Sequence, residues 1–306
     1  MISIIGAGKV GSAIAFLCSS SGIDDVTLIN RDEKKAIGEA LDITNAIPES
    51  STISISGTSD YSKIQNSDVI VIAASVKSHI NTRSDIMIDQ AKMISDMAHK
   101  ISQFAPESKV LVVTNPVDVM TYLLQKHGNL ASKNVLGIAS SLDSARFRYL
   151  LAKEFGTNQS QIKDALVLGE HDDSMVPIFS CAKFGNTLVS DLLDEKKITQ
   201  ITASVRSYWK SLRDYKGSSV YGIAKNTFDV INCMIKNQPL DIVASVLLDG
   251  QYGVNNLCMG VPVTITRNGI TQIHQIQITD KEKEQLLSSA GVIQNNIAQV
   301  NEFLAS

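Results

Sequence analysis

The chain has 306 residues, of which 44% are hydrophobic and 19% are charged, and its formal net charge is −3. This composition is typical of a folded globular protein of about two domains and excludes a largely disordered chain. The near-neutral charge and the lack of a basic run leave no cationic surface for nucleic acid, so we expect no nucleic-acid partner.

The chain begins with a strand-like run, Met1 to Gly6. This run contains no basic region followed by an apolar stretch, so we expect no secretory signal. No apolar run reaches the roughly 20 residues of a membrane span, so we expect no membrane partner. Because the cysteines form no C-x-x-C pair, we expect them to be reduced, in a cytoplasmic protein without a metal site. There are four of them: Cys18, Cys181, Cys233 and Cys258.

The first half of the chain alternates β-branched runs with helical patterns. The predicted strands are 2–5, 26–29, 69–73, 110–113 and 135–138. The predicted helices are 9–21, 33–46, 84–104, 117–127 and 142–155. Continuous apolar strands separated by amphipathic helices predict a parallel sheet that is covered on both faces. We therefore predict an α/β fold, with a doubly wound Rossmann domain over residues 1–140.

The second half has a different pattern, which predicts an α+β domain over residues 141–306. Strands are predicted at about 164–168 and 175–180, two helices around 196–236, and further strands within 241–276. A final helix is predicted over 280–304, with Thr279 and Asp280 as cap candidates. Its apolar face has helical spacing, and its residues are Ile293, Ile297, Val300 and Leu304. No low-complexity linker separates the halves, so we expect them to pack tightly.

A glycine-rich turn follows the first predicted strand. It has the pattern G-x-G-x-x-G at Gly6, Gly8 and Gly11, with Lys9 and Val10 opening the next helix. The three glycines allow a tight turn, close approach of a pyrophosphate and contact between helix and strand, respectively. The helix N-terminus adds free N–H groups for the phosphates. A glycine turn without a ligand is the simpler interpretation, but the strand, turn, helix and second strand together favour a dinucleotide site.

The end of the second predicted strand bears on the choice between NAD and NADP. NAD sites usually carry Asp or Glu about 20 residues beyond the glycines, to bind the ribose 2′-OH. This chain has Asn30, which carries no charge to repel a 2′-phosphate, and Arg31, which can pair with one. Alternatively, Asn30 binds the ribose and Arg31 is a solvated loop residue. The predicted cofactor is therefore NAD or NADP, with the preference open.

Two later segments carry residues suited to proton transfer and anion binding. His171 lies at a predicted strand end, and a histidine with a pKa near 6.5 exchanges protons at neutral pH. Asp143 and Arg146 are three residues apart on one face of a predicted helix. Each residue also has an ordinary structural explanation: His171 as a histidine with its hydrogen bonds satisfied, Asp143 as a helix cap and Arg146 as a surface cation.

Several motifs, in one order, resemble those of the lactate/malate dehydrogenase family over nearly the whole chain. They are the glycine turn, Thr114-Asn115-Pro116-Val117-Asp118, Ser141–Arg146, Leu168–Pro177, and Gly250–Gly253 followed by Met259–Pro262. The resemblance implies a nicotinamide-dependent oxidoreductase that assembles as a homodimer or homotetramer.

The resemblance also implies a role for each site residue. It makes His171 the proton donor and acceptor at the substrate C2 oxygen, with Asp143 orienting the ring. Arg146 binds the C1 carboxylate through two parallel hydrogen bonds. Arg83 polarises the carbonyl from a mobile lid. Asn115 contacts the substrate and helps to place the nicotinamide.

The substrate's far end is read in this family by the residue six positions before Arg83, which is usually Arg in malate enzymes and Gln in lactate enzymes. This chain has Lys77, whose charge suits the second carboxylate of oxaloacetate. The resemblance therefore favours a dicarboxylate substrate, malate or oxaloacetate, and a role in the tricarboxylic acid cycle. A lactate or other 2-hydroxy-acid dehydrogenase is the first alternative, and an inactive nucleotide-binding scaffold is the second.

Two further positions are of interest beside the motifs. Ser219 falls where the family often lines the substrate pocket with a small hydroxyl. Asp172 stands where the family has Gly after the catalytic histidine, and we expect it to raise the pKa of His171 if the two are close.

Overall fold

The computed structural model describes residues 1–76 and 83–305. In the first half, strands and helices alternate. Their bounds are β1 Ile2–Ile5, α1 Lys9–Ser20, β2 Val26–Ile29, α2 Glu33–Thr44, β3 Ile55–Thr58, β4 Val69–Ile72, α3 Arg83–Phe104, β5 Lys109–Val112, α4 Val117–Gly128, β6 Val135–Gly137 and α5 Ser140–Glu154. The predicted strands and helices of this half all form. β3 was not predicted, because its four residues include Gly57 and none of them is fully buried.

The strands of the first half form one parallel sheet in the order β3-β2-β1-β4-β5-β6. β1 and β4 are buried at every position, because helices cover both faces of the sheet. The chain reverses its direction of winding between β1 and β4. Ligands of open α/β sheets bind at such a reversal, beyond the carboxyl ends of the strands. The predicted doubly wound Rossmann fold is confirmed.

The second half combines helices with short and long strands. The bounds are β7 Ile162–Lys163, β8 Leu166–Leu168, β9 Val176–Ile178, β10 Lys183–Phe184, β11 Thr187–Leu188, α6 Val189–Leu192, α7 Glu195–Lys216, α8 Tyr221–Lys236, β12 Leu240–Asp249, β13 Asn255–Thr266, β14 Gly269–Ile273 and α9 Asp280–Ala305. The predicted strand at 164–168 forms as β8, which begins only at Leu166, because Asp164 has φ +52° and ends the preceding strand β7. β7, β10, β11 and α6 were not predicted, because each is too short to show a periodic pattern.

The long strands of the second half continue the first sheet. β12 runs antiparallel to β6, with Ser245 opposite Gly137, and the sheet reaches nine strands in the order β14-β13-β12-β6-β5-β4-β1-β2-β3. Gly137 permits this approach, since a Cβ there would lie 2.9 Å from the Cβ of Ser245. The expected tight packing of the halves thus includes a shared sheet. Two small sheets of the described residues, β11-β10-β7 and β8-β9, are separate from it.

The final helix begins at the predicted cap. The Thr279 hydroxyl accepts the N–H of Glu282 at 3.2 Å, and the Glu282 carboxylate accepts the N–H of Thr279 at 2.9 Å. This reciprocal pair is a capping box. Ile293, Ile297 and Val300 are buried in the core, as their spacing predicted.

Two general features concern the chain as a whole. Within residues 1–76 and 83–305, no helix combines the length and the apolar character that a membrane span needs. The four cysteines are free thiols, and three of them are buried.

Candidate active site

The glycine turn connects β1 to α1 at the point where the sheet reverses its winding. Gly6 has φ +112°, and a Cβ there would lie 2.6 Å from the backbone nitrogen of Ala74, just beyond β4. A Cβ on Gly11 would lie 1.9 Å from the carbonyl oxygen of Gly6. A Cβ on Gly8, in contrast, meets no atom within 4 Å. The first and last glycines are therefore required for packing, and the middle one leaves open space at the start of α1.

The start of α1 has the properties of an anion site. Gly8 is the N-cap, it offers no side-chain acceptor, and the first turn, which begins with Lys9 and Val10, contains no acidic residue. The first N–H groups of a helix have no partner within the helix. The buried hydroxyl of Ser12 also has no partner among the described residues. These unsatisfied donors, beside the open space at Gly8, fit the pyrophosphate of a dinucleotide.

Asn30 and Arg31 follow β2 and lie beside the glycine turn. The Asn30 side-chain oxygen accepts the N–H of Ala7 at 3.4 Å, and its amide nitrogen donates to the carbonyl of Asp32 at 3.0 Å. Arg31 is exposed, as is Lys34 on the first turn of α2. The position that carries an acid in NAD sites is thus an uncharged amide. It is followed by the exposed cations Arg31 and Lys34, with the exposed acids Asp32 and Glu33 between them.

The structure brings His171, Asp143 and Arg146 together. His171 follows β8, and its Nδ1 lies 2.5 Å from Oδ2 of Asp143 in the first turn of α5. The other oxygen of Asp143 accepts from Nη1 of Arg146 at 3.0 Å. Since Asp143 takes Nδ1, Nε2 is the ring nitrogen left for a substrate.

The surroundings of His171 raise its pKa. Burial alone lowers the pKa of His171, because it disfavours the charged ring, and the positive charge of Arg146 acts in the same direction. The charge and hydrogen bond of Asp143, with a contribution from the charge of Asp118, outweigh both, so that the pKa lies above its ordinary value. The ring can therefore hold a proton near neutral pH, as a general acid must.

Arg146 is a buried cation with a hydrogen-bond donor that is unpaired among the described residues. Its Nε is buried and has no partner among the described residues. Its guanidinium lies over the ring of Tyr208 on α7, with 5.3 Å between Cζ and the ring centroid. A buried donor without a partner costs free energy unless a ligand completes it. A carboxylate fits this position, because its two oxygens match the guanidinium fork.

Asp118, in the first turn of α4, is a site residue to which the sequence analysis gave no role. Its Oδ2 accepts the backbone N–H of His171 at 2.8 Å, and its Oδ1 accepts the hydroxyl of Ser245 at 2.5 Å. It is 2% exposed, and burial raises its pKa to about 6, although its hydrogen bonds and the charge of His171 act against this rise. The available signal was an acidic residue within a helical stretch that is otherwise apolar.

Asn115 and Ser219 lie in the loops that precede α4 and α8, respectively. Asn115 is exposed after β5, three residues before Asp118. Ser219 is half-buried between α7 and α8. At the start of α8, a Cβ on Gly222 would lie 2.8 Å from the Leu142 side chain, next to Asp143 along the chain.

Lys77 lies outside the described residues. Arg83 begins α3, but its side chain is outside them too. Ser75 and Val76, which precede Lys77, are bonded to the side chain of Gln90 on α3. Gln90 accepts the N–H of Val76 at 3.2 Å and donates to the hydroxyl of Ser75 at 2.9 Å. These bonds tie the chain after β4 to α3.

In the part of the chain that the structure describes, no group of three or more His, Cys, Asp or Glu side chains is arranged to hold a metal.

Two family models together match nearly the entire chain. The model of the lactate/malate dehydrogenase NAD-binding domain matches residues 1–137, and that of the lactate/malate dehydrogenase alpha/beta C-terminal domain matches residues 140–304.

Individual relatives agree with these matches. Malate dehydrogenase from Ehrlichia canis is 34% identical, and the alignment covers 98% of each chain. Among solved structures, malate dehydrogenase from Cryptosporidium parvum is 33% identical with a TM-score of 0.92, covering 98% of each chain. The lactate dehydrogenase of the same organism, complexed with lactic acid and nicotinamide adenine dinucleotide, is 31% identical with a TM-score of 0.93, covering 98% of this chain and 97% of its own.

Proposed function

The chain belongs to the lactate/malate dehydrogenase family, and on that premise we propose that it is a malate dehydrogenase, which interconverts oxaloacetate and (S)-malate. The observation that carries the proposal is the buried cluster of His171, Asp143 and Arg146. It combines a proton donor with a carboxylate-binding cation in a chain that also has a dinucleotide turn. Reduction of a 2-oxo acid requires both.

His171 moves the proton in this proposal. Its Nε2 donates to the C2 oxygen of the 2-oxo acid during reduction and takes the proton back during oxidation. Asp143 fixes the ring tautomer through Nδ1 and stabilises the charged ring. The nicotinamide cofactor, when bound, supplies the hydride for reduction and accepts it in oxidation.

Arg146 and Arg83 are the proposed cations at the substrate. Arg146 binds the C1 carboxylate, since its Nε has no partner among the described residues while Nη1 remains on Asp143. Arg83 polarises the C2 carbonyl, a role that rests on the resemblance of its motif. Asn115 and Ser219 line the pocket on the same basis.

Lys77 is the proposed discriminator between oxaloacetate and pyruvate. The fold does not decide between them, because malate and lactate dehydrogenases superpose on this chain equally well. A cation at this position would pair with the second carboxylate of oxaloacetate, which pyruvate lacks. In Lys77→Gln we expect kcat/KM for oxaloacetate to fall by about tenfold or more, with that for pyruvate unchanged or raised. An unchanged ratio would remove Lys77 from this role.

The choice between an active enzyme and a nucleotide-binding scaffold depends on His171. We expect His171→Asn to abolish turnover while nicotinamide fluorescence still reports cofactor binding. Equal turnover in the variant would contradict the proposed role of His171. The scaffold alternative would instead be favoured if the wild-type protein bound the cofactor but reduced no 2-oxo acid.

Asn30 and Arg31 are the proposed determinants of cofactor choice. An uncharged Asn30 and the exposed cations Arg31 and Lys34 support acceptance of NADPH beside NADH. Asn30→Asp should lower kcat/KM for NADPH by about tenfold or more through repulsion of the 2′-phosphate, with little effect on NADH. A wild-type protein that strongly prefers NADH, and a variant with the same preference, would contradict this proposal.

We also propose that the chain forms a homo-oligomer through its α1, α2, α5 and α8 surface. Large apolar side chains are exposed there, and α1 packs directly on α8. They are Phe16, Ile37, Leu41, Tyr149 and Tyr221. Exposed apolar side chains gathered on one face mark interaction sites. Sedimentation should give a dimer or larger species for the wild type and a smaller one for Leu41→Glu; a monomeric wild type would contradict the proposal.

The cytoplasm is the proposed compartment. Four free cysteines, three of them buried, fit a reducing environment. Localisation of a tagged chain by cell fractionation tests this.

A further inference from the structure

We propose that Asp118 is a positioning residue for His171, which it serves by binding the histidine backbone and by adding a second negative charge to the one that Asp143 provides. The inference rests on the proposed function, because it concerns the same proton-transfer group. Asp143 acts on the ring and Asp118 on the main chain, so His171 is held at two points.

Three separate elements meet at the Asp118 carboxylate. Asp118 belongs to α4, His171 follows β8, and Ser245 lies in β12. Among the residues of 1–76 and 83–305, each carboxylate oxygen has one donor, the N–H of His171 at 2.8 Å and the hydroxyl of Ser245 at 2.5 Å. Asp118 and Ser245 are 2% and 1% exposed. This carboxylate thus fixes the His171 backbone relative to the sheet.

The charge of Asp118 is not needed for these hydrogen bonds. An asparagine could accept the N–H of His171 with its oxygen and donate to Ser245 with its nitrogen, since the serine hydroxyl can rotate. A buried carboxylate costs free energy that an amide avoids. An ionisable group at this position therefore points to a use for its charge, and the charged ring of His171 is the group that benefits.

Among the described residues, titratable and charged groups face this pair from several elements. They are Asp143 and Arg146 from α5, Glu170 from the segment of His171, and Cys258 from β13. Arg146 opposes protonation of His171, whereas Asp143 and Asp118 both favour it. Removing the charge of Asp118 should therefore shift the His171 titration to lower pH.

The test is the titration of His171 in wild type and in Asp118→Asn. The chain has five histidines, so ring signals can be followed by NMR, with His171→Asn assigning the signal of interest. We expect the pKa of His171 to fall by about 0.5 to 1 in the variant. Since reduction requires the protonated ring, the alkaline limb of kcat/KM for oxaloacetate should move to lower pH by the same amount.

Ser289→Ala is the matched control. Ser289 is fully buried and accepts the N–H of Glu170, the residue before His171, at 2.8 Å, but it carries no charge. This variant disturbs the same segment, yet it should leave the pKa of His171 in place.

Two results would overturn the inference: an unchanged His171 titration in Asp118→Asn, or an equal change in Ser289→Ala. If the wild type reduces no 2-oxo acid, the proposed function fails. The NMR titration still decides the role of Asp118 in that case, because it requires no turnover.

Discussion

Replacing Asp118 by asparagine should stabilise the fold at neutral pH, although it weakens the hold of His171 on its proton. Burial raises the pKa of Asp118 from 3.8 to about 6. A pKa difference of about 2, at about 1.4 kcal/mol for each pH unit, corresponds to about 3 kcal/mol. This is the free energy by which the ionised carboxylate opposes folding at pH 7.5, and an amide does not have this cost.

The sign follows from linkage between protonation and folding. Because the pKa of Asp118 is raised, the folded state binds the proton more tightly than the unfolded state does. As the pH rises from 3.8 through about 6, Asp118 loses its proton in the unfolded state before it does so in the folded state, and the wild type therefore becomes less stable. At pH 5 about half of the cost remains, so the advantage of the asparagine variant should shrink by about 1 to 2 kcal/mol between pH 7.5 and pH 5. The raised pKa of His171 also makes the wild type lose stability as the pH rises. Asp118→Asn reduces this loss too, so the advantage of the variant again grows with pH.

The assay is denaturant unfolding of both proteins at pH 7.5 and at pH 5. The difference in unfolding free energy between wild type and variant is compared at the two pH values, which cancels any pH-independent change in hydrogen bonding. Ser245→Ala is the control, because it removes the donor to Asp118 but keeps the charge. It should destabilise the protein at both pH values. If the advantage of Asp118→Asn did not grow with pH, the reasoning that an ionised Asp118 burdens the fold would be refuted.

Three further substitutions test the rest of the site. Gly11→Ala places a Cβ 1.9 Å from the Gly6 carbonyl oxygen and should abolish dinucleotide binding, measured by nicotinamide fluorescence; binding at wild-type affinity would contradict the turn's role. Arg146→Lys replaces a two-pronged donor by a single point of charge and should lower kcat/KM by about a hundredfold or more, mainly through KM, and an unchanged KM would contradict carboxylate binding. Tyr208→Leu removes the ring on which Arg146 lies and should raise KM several-fold with little change in kcat, whereas Tyr208→Phe should retain the wild-type KM; equal behaviour of both variants would exclude a role for the ring.

The Rossmann half was predictable from sequence because its signals are local. β4 is a continuous apolar run, β1 is apolar except for Ser3, and both are buried on both faces. The helices between strands show their period within a few turns. The antiparallel extension was not predictable in the same way. It depends on Ser245 meeting Gly137 across the sheet, and no local pattern shows which sheet a strand joins.

The same distinction applies to the site. Asp143 and Arg146 are neighbours on one helix, and their spacing predicts the contact that the structure contains. Asp118 was missed because its partners, His171 and Ser245, lie 53 and 127 residues away along the chain. Its role follows from tertiary contacts alone.

The proposal that the chain is a malate dehydrogenase is tested most directly by its kcat/KM for oxaloacetate and for pyruvate. Each is assayed with NADH and with NADPH, by nicotinamide absorbance. We predict that oxaloacetate is reduced with a kcat/KM at least about tenfold above that for pyruvate, with at least one of the two cofactors. Reduction of pyruvate with equal or higher kcat/KM would contradict the proposal, and so would the absence of turnover with either acid.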